Sequence, residues 1–309
     1  MAILEKDLGK FYGERVVPRL DTMVQVTIAP EVREECKELM AKGWRFVFYG
    51  NHQSQGEGWG FVKIVREFKG LAAEVGVDFP GVILPFARSM FTGHQGKVLQ
   101  ALTKISVPYL EREGIRVWQY TRRKDEGKYG LKRSSSEVRT MIKLIEEGYD
   151  MAYLAEASMQ AGRHKNKLFG FVFGGPINGM IPVEDEDGFI RFYNLTEKHS
   201  QASGVAYVPV VTDGTYRYLG ADIPIPTMEF LQALFVDPSN PAQVSVERPI
   251  TPARLSDEFR KNWRDDGAAL SHFLMKNVAE KLPPYARGIY RAELDSKFLT
   301  QAIELSTAS

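Results

Sequence analysis

The sequence predicts an α/β fold, a mixed central sheet flanked by helices. Short apolar runs recur along the first two thirds of the chain, and stretches with helical periodicity lie between them. Several of those runs end at polar or cationic residues, and the strand ends of α/β sheets are where such proteins place their sites. The 309 residues are 44% hydrophobic and 26% charged, the balance of a soluble globular chain.

Residues 1–41 read as one or two helices, broken at Pro18 and Pro30. In the amphipathic stretch Val32 to Met40, Cys36 is expected to pack as a small hydrophobe. Strands are predicted at 44–50, 81–87, 105–110, 115–121, 150–155 and 205–211, with helices at 58–75, 95–103 and 134–147. The 134–147 helix has the clearest local signals. Ser134-Ser135-Ser136-Glu137 offers a capping box, and Gly148 supplies the stop. After 211 come strand-like pieces at 215–220 and 242–248, a helix over 255–281 ended by Pro283-Pro284, and a last helix over about 291–305. No internal repeat or long linker divides the chain. Residues 1–41 are therefore taken as an N-terminal helical extension and 42–309 as one domain.

Composition excludes some functions. A net charge of +1 provides no overall field for nucleic acid, so any anion site must be a local cluster. One cysteine rules out an intramolecular disulfide and suits a reducing compartment. No apolar run approaches the ~20 residues of a membrane-spanning helix, and the N-terminus lacks a signal-peptide core. The expected location is the cytoplasm. No cofactor or metal site is evident, and the acids Glu184-Asp185-Glu186-Asp187 read as a solvated loop.

The residues that carry chemistry begin at Asn51-His52-Gln53-Ser54-Gln55-Gly56-Glu57, between the 44–50 strand and the 58–75 helix. A neutral imidazole takes a proton from a hydroxyl when its other nitrogen donates to a carboxylate, and His52 with Glu57 fits that requirement if 53–56 make the turn. Two cation clusters follow other strand ends: Arg122-Arg123-Lys124, and Gly162-Arg163-His164-Lys165. Guanidinium forks and a lysine point charge suit phosphate oxygens, so Arg123, Lys124, Arg163 and Lys165 are candidates for holding an anionic substrate; the bland alternative is a solvated charge run. The same segment also approximates a G-x-S-x-G nucleophile elbow, which would make Ser54 the nucleophile with His272 in a triad. Its first glycine is missing. Phe86, Met90 and Phe91 are candidates for an acyl groove or for ordinary core.

In this order the blocks resemble those of the glycerolipid acyltransferases, with the soluble plastid-type glycerol-3-phosphate 1-acyltransferases the nearer match. Asn51 to Glu57 is similar to the family's N-H-x-x-x-x-D block, with Glu57 in place of aspartate. Tyr120 to Lys124 and Gly162 to Lys165 stand where that family has its phosphate-binding cations, and Val208-Pro209-Val210 resembles its late valine–proline block. The resemblance covers roughly residues 44–212. The family's F-P-E-G-T-R block survives only as Leu154-Ala155-Glu156-Ala157-Ser158-Met159. The resemblance implies a glycerol-3-phosphate acyltransferase-like fold and transfer of an acyl group from an acyl-carrier protein or coenzyme A thioester, with no further cofactor. It implies glycerol 3-phosphate as acceptor, His52 as base and Glu57 as its partner, and the plastid stroma as location if a leader has been removed. Lysophosphatidate or another anionic alcohol is the alternative acceptor. A non-catalytic acyl-carrier or lipid-binding protein is the alternative of another class. The apolar stretch Met228 to Val236 reads as a buried helix, with peripheral membrane contact as its alternative.

Overall fold

The computed structural model describes residues 12–53, 57–88, 107–122, 126–127, 132–154, 179–183, 185–215, 239–259 and 263–296. A π-helical turn, Tyr12–Val16, leads into α1 (Val17–Met23), β1 (Val24–Ile28) and α2 (Pro30–Ala41). Next come β2 (Trp44–Gly50), α3 (Glu57–Glu74), β3 (Val82–Ala87), a short helix α4 over 107–113, β4 (Ile115–Tyr120), α5 (Ser135–Glu146) and β5 (Asp150–Leu154). The rest supplies α6 (Gly188–His199), β6 (Gly204–Asp213), β7 (Ala242–Val246), α7 (Pro252–Phe259) and α8 (Gly267–Lys281), with 3₁₀ turns at Trp263–Asp265, Pro284–Ala286 and Gly288–Tyr290.

The described strands form one sheet in the order β1-β7-β6-β2-β5-β3-β4. β6, β2, β5, β3 and β4 run parallel, β7 is antiparallel to β6, and β1 is parallel to β7. The sheet is thus mixed, and helices cover both faces. Parallel strands buried on both sides need continuous apolar runs, which is what Phe46-Val47-Phe48-Tyr49 supplies in β2. Alternation divides that run. Phe46 and Phe48 enter one core with α2 and α3; Val47 and Tyr49 enter another with α5, α6 and α8. In the first core Phe68 of α3 meets Phe46 and Phe48 edge-on, with centroids 5.7 and 4.9 Å apart. In the second, Phe189 of α6 meets Tyr49 and Tyr153 in the same manner at 5.4 and 5.1 Å. Cys36 is fully buried in α2 and its thiol is pushed up to about 12 by burial, as a residue packed for shape requires.

Three elements differ from the sequence expectation. Residues 1–41 contain helices but also β1, which extends the sheet by pairing Val24–Ile28 with Ala242–Val246. The cue was its β-branched alternation, five residues long between two helices. The strand expected at 105–110 is overturned where it is described: 107–113 is helical. Pro108 falls in the first turn, where its missing N–H costs nothing, and a short apolar run does not separate helix from strand by periodicity. The single helix expected over 255–281 is two, α7 and α8. Asp266 ends the break by capping α8, its Oδ1 accepting from Ala269 N at 2.9 Å. The helix expected at 95–103 lies outside the described residues, as does the strand at 215–220 apart from Thr215; the last helix is seen over 291–296. Among the described residues no helix is long and apolar enough to cross a membrane.

Candidate functional site

β2 lies inside the parallel set, between β6 and β5, and its backbone ladder with β6 ends at Gly50 opposite Val210. Gly50 is required there. A β-carbon would collide with the Val210 carbonyl oxygen, so a side chain would force the two strand ends apart. Beyond Gly50 the pairing continues through side-chain amides. The fully buried Asn51 donates from Nδ2 to Thr212 O at 2.7 Å and accepts Thr212 N–H on Oδ1 at 2.8 Å. The fully buried Gln53 accepts Gly214 N–H on Oε1 at 2.9 Å. Both amides therefore substitute for strand backbone and satisfy groups that burial would otherwise leave unpaired.

His52 sits between these two anchored amides and is half-buried at the C-terminal end of β2. Glu57 is the first residue of α3, a helix start where a carboxylate is favoured by the exposed N–H groups; its side chain and residues 54–56, including Ser54, lie outside the description. The strand read before His52 and the helix read after it are present, as β2 and α3. So is one junction that spacing alone did not reveal. Val208-Pro209-Val210 lies in β6 directly beside Phe48-Tyr49-Gly50, the strand end that leads into Asn51-His52.

Arg123, Lys124, Arg163 and Lys165 all lie outside the described residues. β5, the last described strand before the 162–165 cluster in sequence, is the immediate neighbour of β2 with Leu154 opposite Gly50. β4, which runs toward Arg123 and Lys124, is three strands from β2 in the sheet order, roughly 14 Å across the sheet. Phe86 is half-buried in β3, packed against the α2–α3 core, whereas Met90 and Phe91 are outside the description.

Sequence reasoning missed a carboxylate at the β3–β4 end. Ser134 caps α5 as expected, accepting Ser136 N–H at 3.1 Å. Glu137, read as the other half of a capping box, instead turns toward the sheet. Its Oε1 accepts from the Thr121 hydroxyl at 2.8 Å and from Arg88 at 3.3 Å, and its Oε2 accepts Thr121 N–H at 3.3 Å. Its own carbonyl accepts Trp118 Nε1–H at 2.7 Å. A polar residue three positions into a helix and a threonine just past a strand were the available signals, and neither indicates the partner. A second missed carboxylate is Asp213, at the end of β6. Both of its oxygens accept from the Tyr285 hydroxyl at 3.0 Å, and Oδ1 lies 3.4 Å from Gln53 Nε2. His272, the triad histidine of the Ser54 alternative, is in α8 with Nε2 3.2 Å from Glu293. Among the described residues no group of three or more His, Cys, Asp or Glu is arranged to hold a metal ion.

The chain matches no protein-family model and no curated protein sequence.

Proposed function

We propose that the protein is an acyltransferase that moves a fatty acyl group from a thioester of acyl-carrier protein or coenzyme A to the hydroxyl of glycerol 3-phosphate. The observation that carries this reading is the junction at the end of β2. The Asn51-His52 block and the Val208-Pro209-Val210 block are far apart in sequence, yet they meet at the ends of neighbouring parallel strands, with His52 two residues past the end of β2.

In this mechanism the His52 imidazole takes the hydroxyl proton as the alcohol oxygen attacks the thioester carbonyl carbon. The tetrahedral intermediate collapses, the carbon–sulfur bond breaks, and the imidazolium returns the proton to the departing thiolate. Glu57 stabilises the imidazolium. Arg123, Lys124, Arg163 and Lys165 hold the phosphate so that the hydroxyl sits at the reacting carbon, an orientation that lowers the barrier by several kcal/mol.

The test offers palmitoyl thioesters of both carriers together with glycerol 3-phosphate and lysophosphatidate, and identifies products by mass spectrometry. The expected product is the monoacyl glycerol phosphate, with formation reduced about 100-fold or more in His52→Ala. Arg163→Ala is expected to act chiefly on KM for the phosphorylated acceptor. Absence of any acyl product, or undiminished turnover in His52→Ala, overturns the proposal.

A further inference from the structure

We propose that Asp213 and Tyr285 are positioning residues for His52, acting through the carboxamide of Gln53. The functional meaning of this inference rests on His52 being the general base; its structural content does not.

His52 is flanked by two buried amides that differ in what holds them. Asn51 is tied to backbone groups of Thr212 on both its oxygen and its nitrogen, so that anchor depends on the fold of β6 alone. Gln53 has a backbone partner on one side only. Gly214 N–H takes Oε1, which directs the Nε2 donor toward Asp213 at 3.4 Å. Asp213 is itself held, since both its carboxylate oxygens accept from the Tyr285 hydroxyl at 3.0 Å. Tyr285 belongs to the 3₁₀ turn Pro284–Ala286 and is 47% exposed, so burial of its ring does not account for where it sits. The chain of contacts therefore runs from a surface turn of the C-terminal region to the residue that follows His52. The 3.4 Å step is longer, and so weaker, than the bonds at Asn51. A general base must be held within about 0.5 Å of its working position, and a residue that sets the backbone on one side of it controls that placement without touching substrate.

The test uses the full chain with ¹⁵N-labelled histidine, the His52 ring signals being assigned by their loss in His52→Ala. Tyr285→Phe and Asp213→Ala are expected to shift or broaden the His52 signals while those of His199 and His272 stay in place. Asp213→Asn, which keeps an oxygen acceptor for Gln53 but removes the charge, is expected to stay close to the parent. In the acyl-transfer assay the first two variants should lower kcat about tenfold with acceptor KM unchanged. Unmoved His52 signals in both Tyr285→Phe and Asp213→Ala overturn the inference. Equal displacement in Asp213→Asn and Asp213→Ala also overturns it, since the charge of Asp213 would then matter rather than its hold on Gln53. If the parent forms no acyl product while the signals respond as expected, acyl transfer fails and the positioning stands. If product forms and the signals do not move, the positioning fails alone.

Discussion

A buried carboxylate and a buried phenol sit near opposite ends of β2, and each leads to a prediction. Asp150 starts β5 and is paired with Arg45 of β2, Nε to Oδ1 at 2.6 Å. Burial outweighs the attraction of Arg45 and pushes its carboxyl up to about 6 from an ordinary 3.8. A raised carboxyl means that the folded chain binds this proton more tightly than the unfolded one. The Asp150 contribution is then most favourable below about pH 4 and is lost as pH rises to about 6. At roughly 1.4 kcal/mol per pH unit the change is on the order of 3 kcal/mol. Urea unfolding of the parent and of Asp150→Asn should therefore diverge across that window, with the parent losing stability relative to the variant as pH rises; parallel curves would show that the group does not titrate there. At the other end, Tyr49 Oη is buried with no hydrogen-bond partner among the described residues. Leaving a buried hydroxyl unpaired costs about 1–3 kcal/mol, so Tyr49→Phe is expected to raise Tm, and a fall in Tm would mean that the hydroxyl is satisfied in solution. The strand before His52 and the helix that begins at Glu57 were legible in the sequence because their signals are local. The Gln53–Asp213 contact spans 160 residues and was not, because no local rule names a partner across a fold.

Among the elements, α5 shows how a local signal can be right about a boundary and wrong about a side chain. Its cap and its stop were both legible: Ser134 caps it, and Gly148 adopts φ 94°, the left-handed conformation that ends a helix cheaply. The Glu137 carboxylate went elsewhere because two strand ends present more donors to it than a helix start does. It takes the Thr121 N–H and hydroxyl and the Arg88 guanidinium, and its side chain is only 12% exposed. Glu137→Ala leaves the Thr121 N–H without that acceptor, at a cost of about 1–3 kcal/mol, while the Thr121 hydroxyl retains the Lys132 carbonyl at 3.4 Å. Glu137→Gln keeps one acceptor oxygen and should fall between. Chemical denaturation of the three proteins checks the order, and an alanine variant as stable as the parent would discard the strut. The contrast with 105–110 is instructive. There the apolar run Ile105 to Leu110 was read as a strand, yet 107–113 is helical and seats Tyr109 against Trp59 of α3 at 5.5 Å. A run that short is decided by what it packs on, and that information is tertiary.

Across the whole molecule, the part of the chain least legible as fold is the N-terminal segment, and it bears on whether the folded domain begins at residue 42. β1 is an edge strand in register with β7 over its full length, and β7 carries the sheet on to β6 beside the site. The segment is tied down by polar contacts as well. Lys63 of α3 donates to Asp21 O and Val24 O, where α1 ends and β1 starts. Arg66 donates from Nη1 to both carboxylate oxygens of Asp21 at 3.0 Å and from Nε to Glu113 of α4 at 2.8 Å. α2 adds the buried Val32, Cys36, Leu39 and Met40 to the core that α3 shares. Deleting residues 1–41 would expose the β7 edge and uncover that apolar face together, which is the combination that drives strand-to-strand association. The expected outcome is a shortened chain that aggregates or unfolds at a markedly lower temperature, and that loses any acyl-transfer activity even though His52 and both cation clusters remain. Size-exclusion chromatography with thermal unfolding of the 42–309 chain measures this directly. A monomer with the parent's Tm would make the segment an appendage. Because α3 both receives these anchors and begins at Glu57, the N-terminal strand holds the helix on which the proposed His52–Glu57 pairing depends.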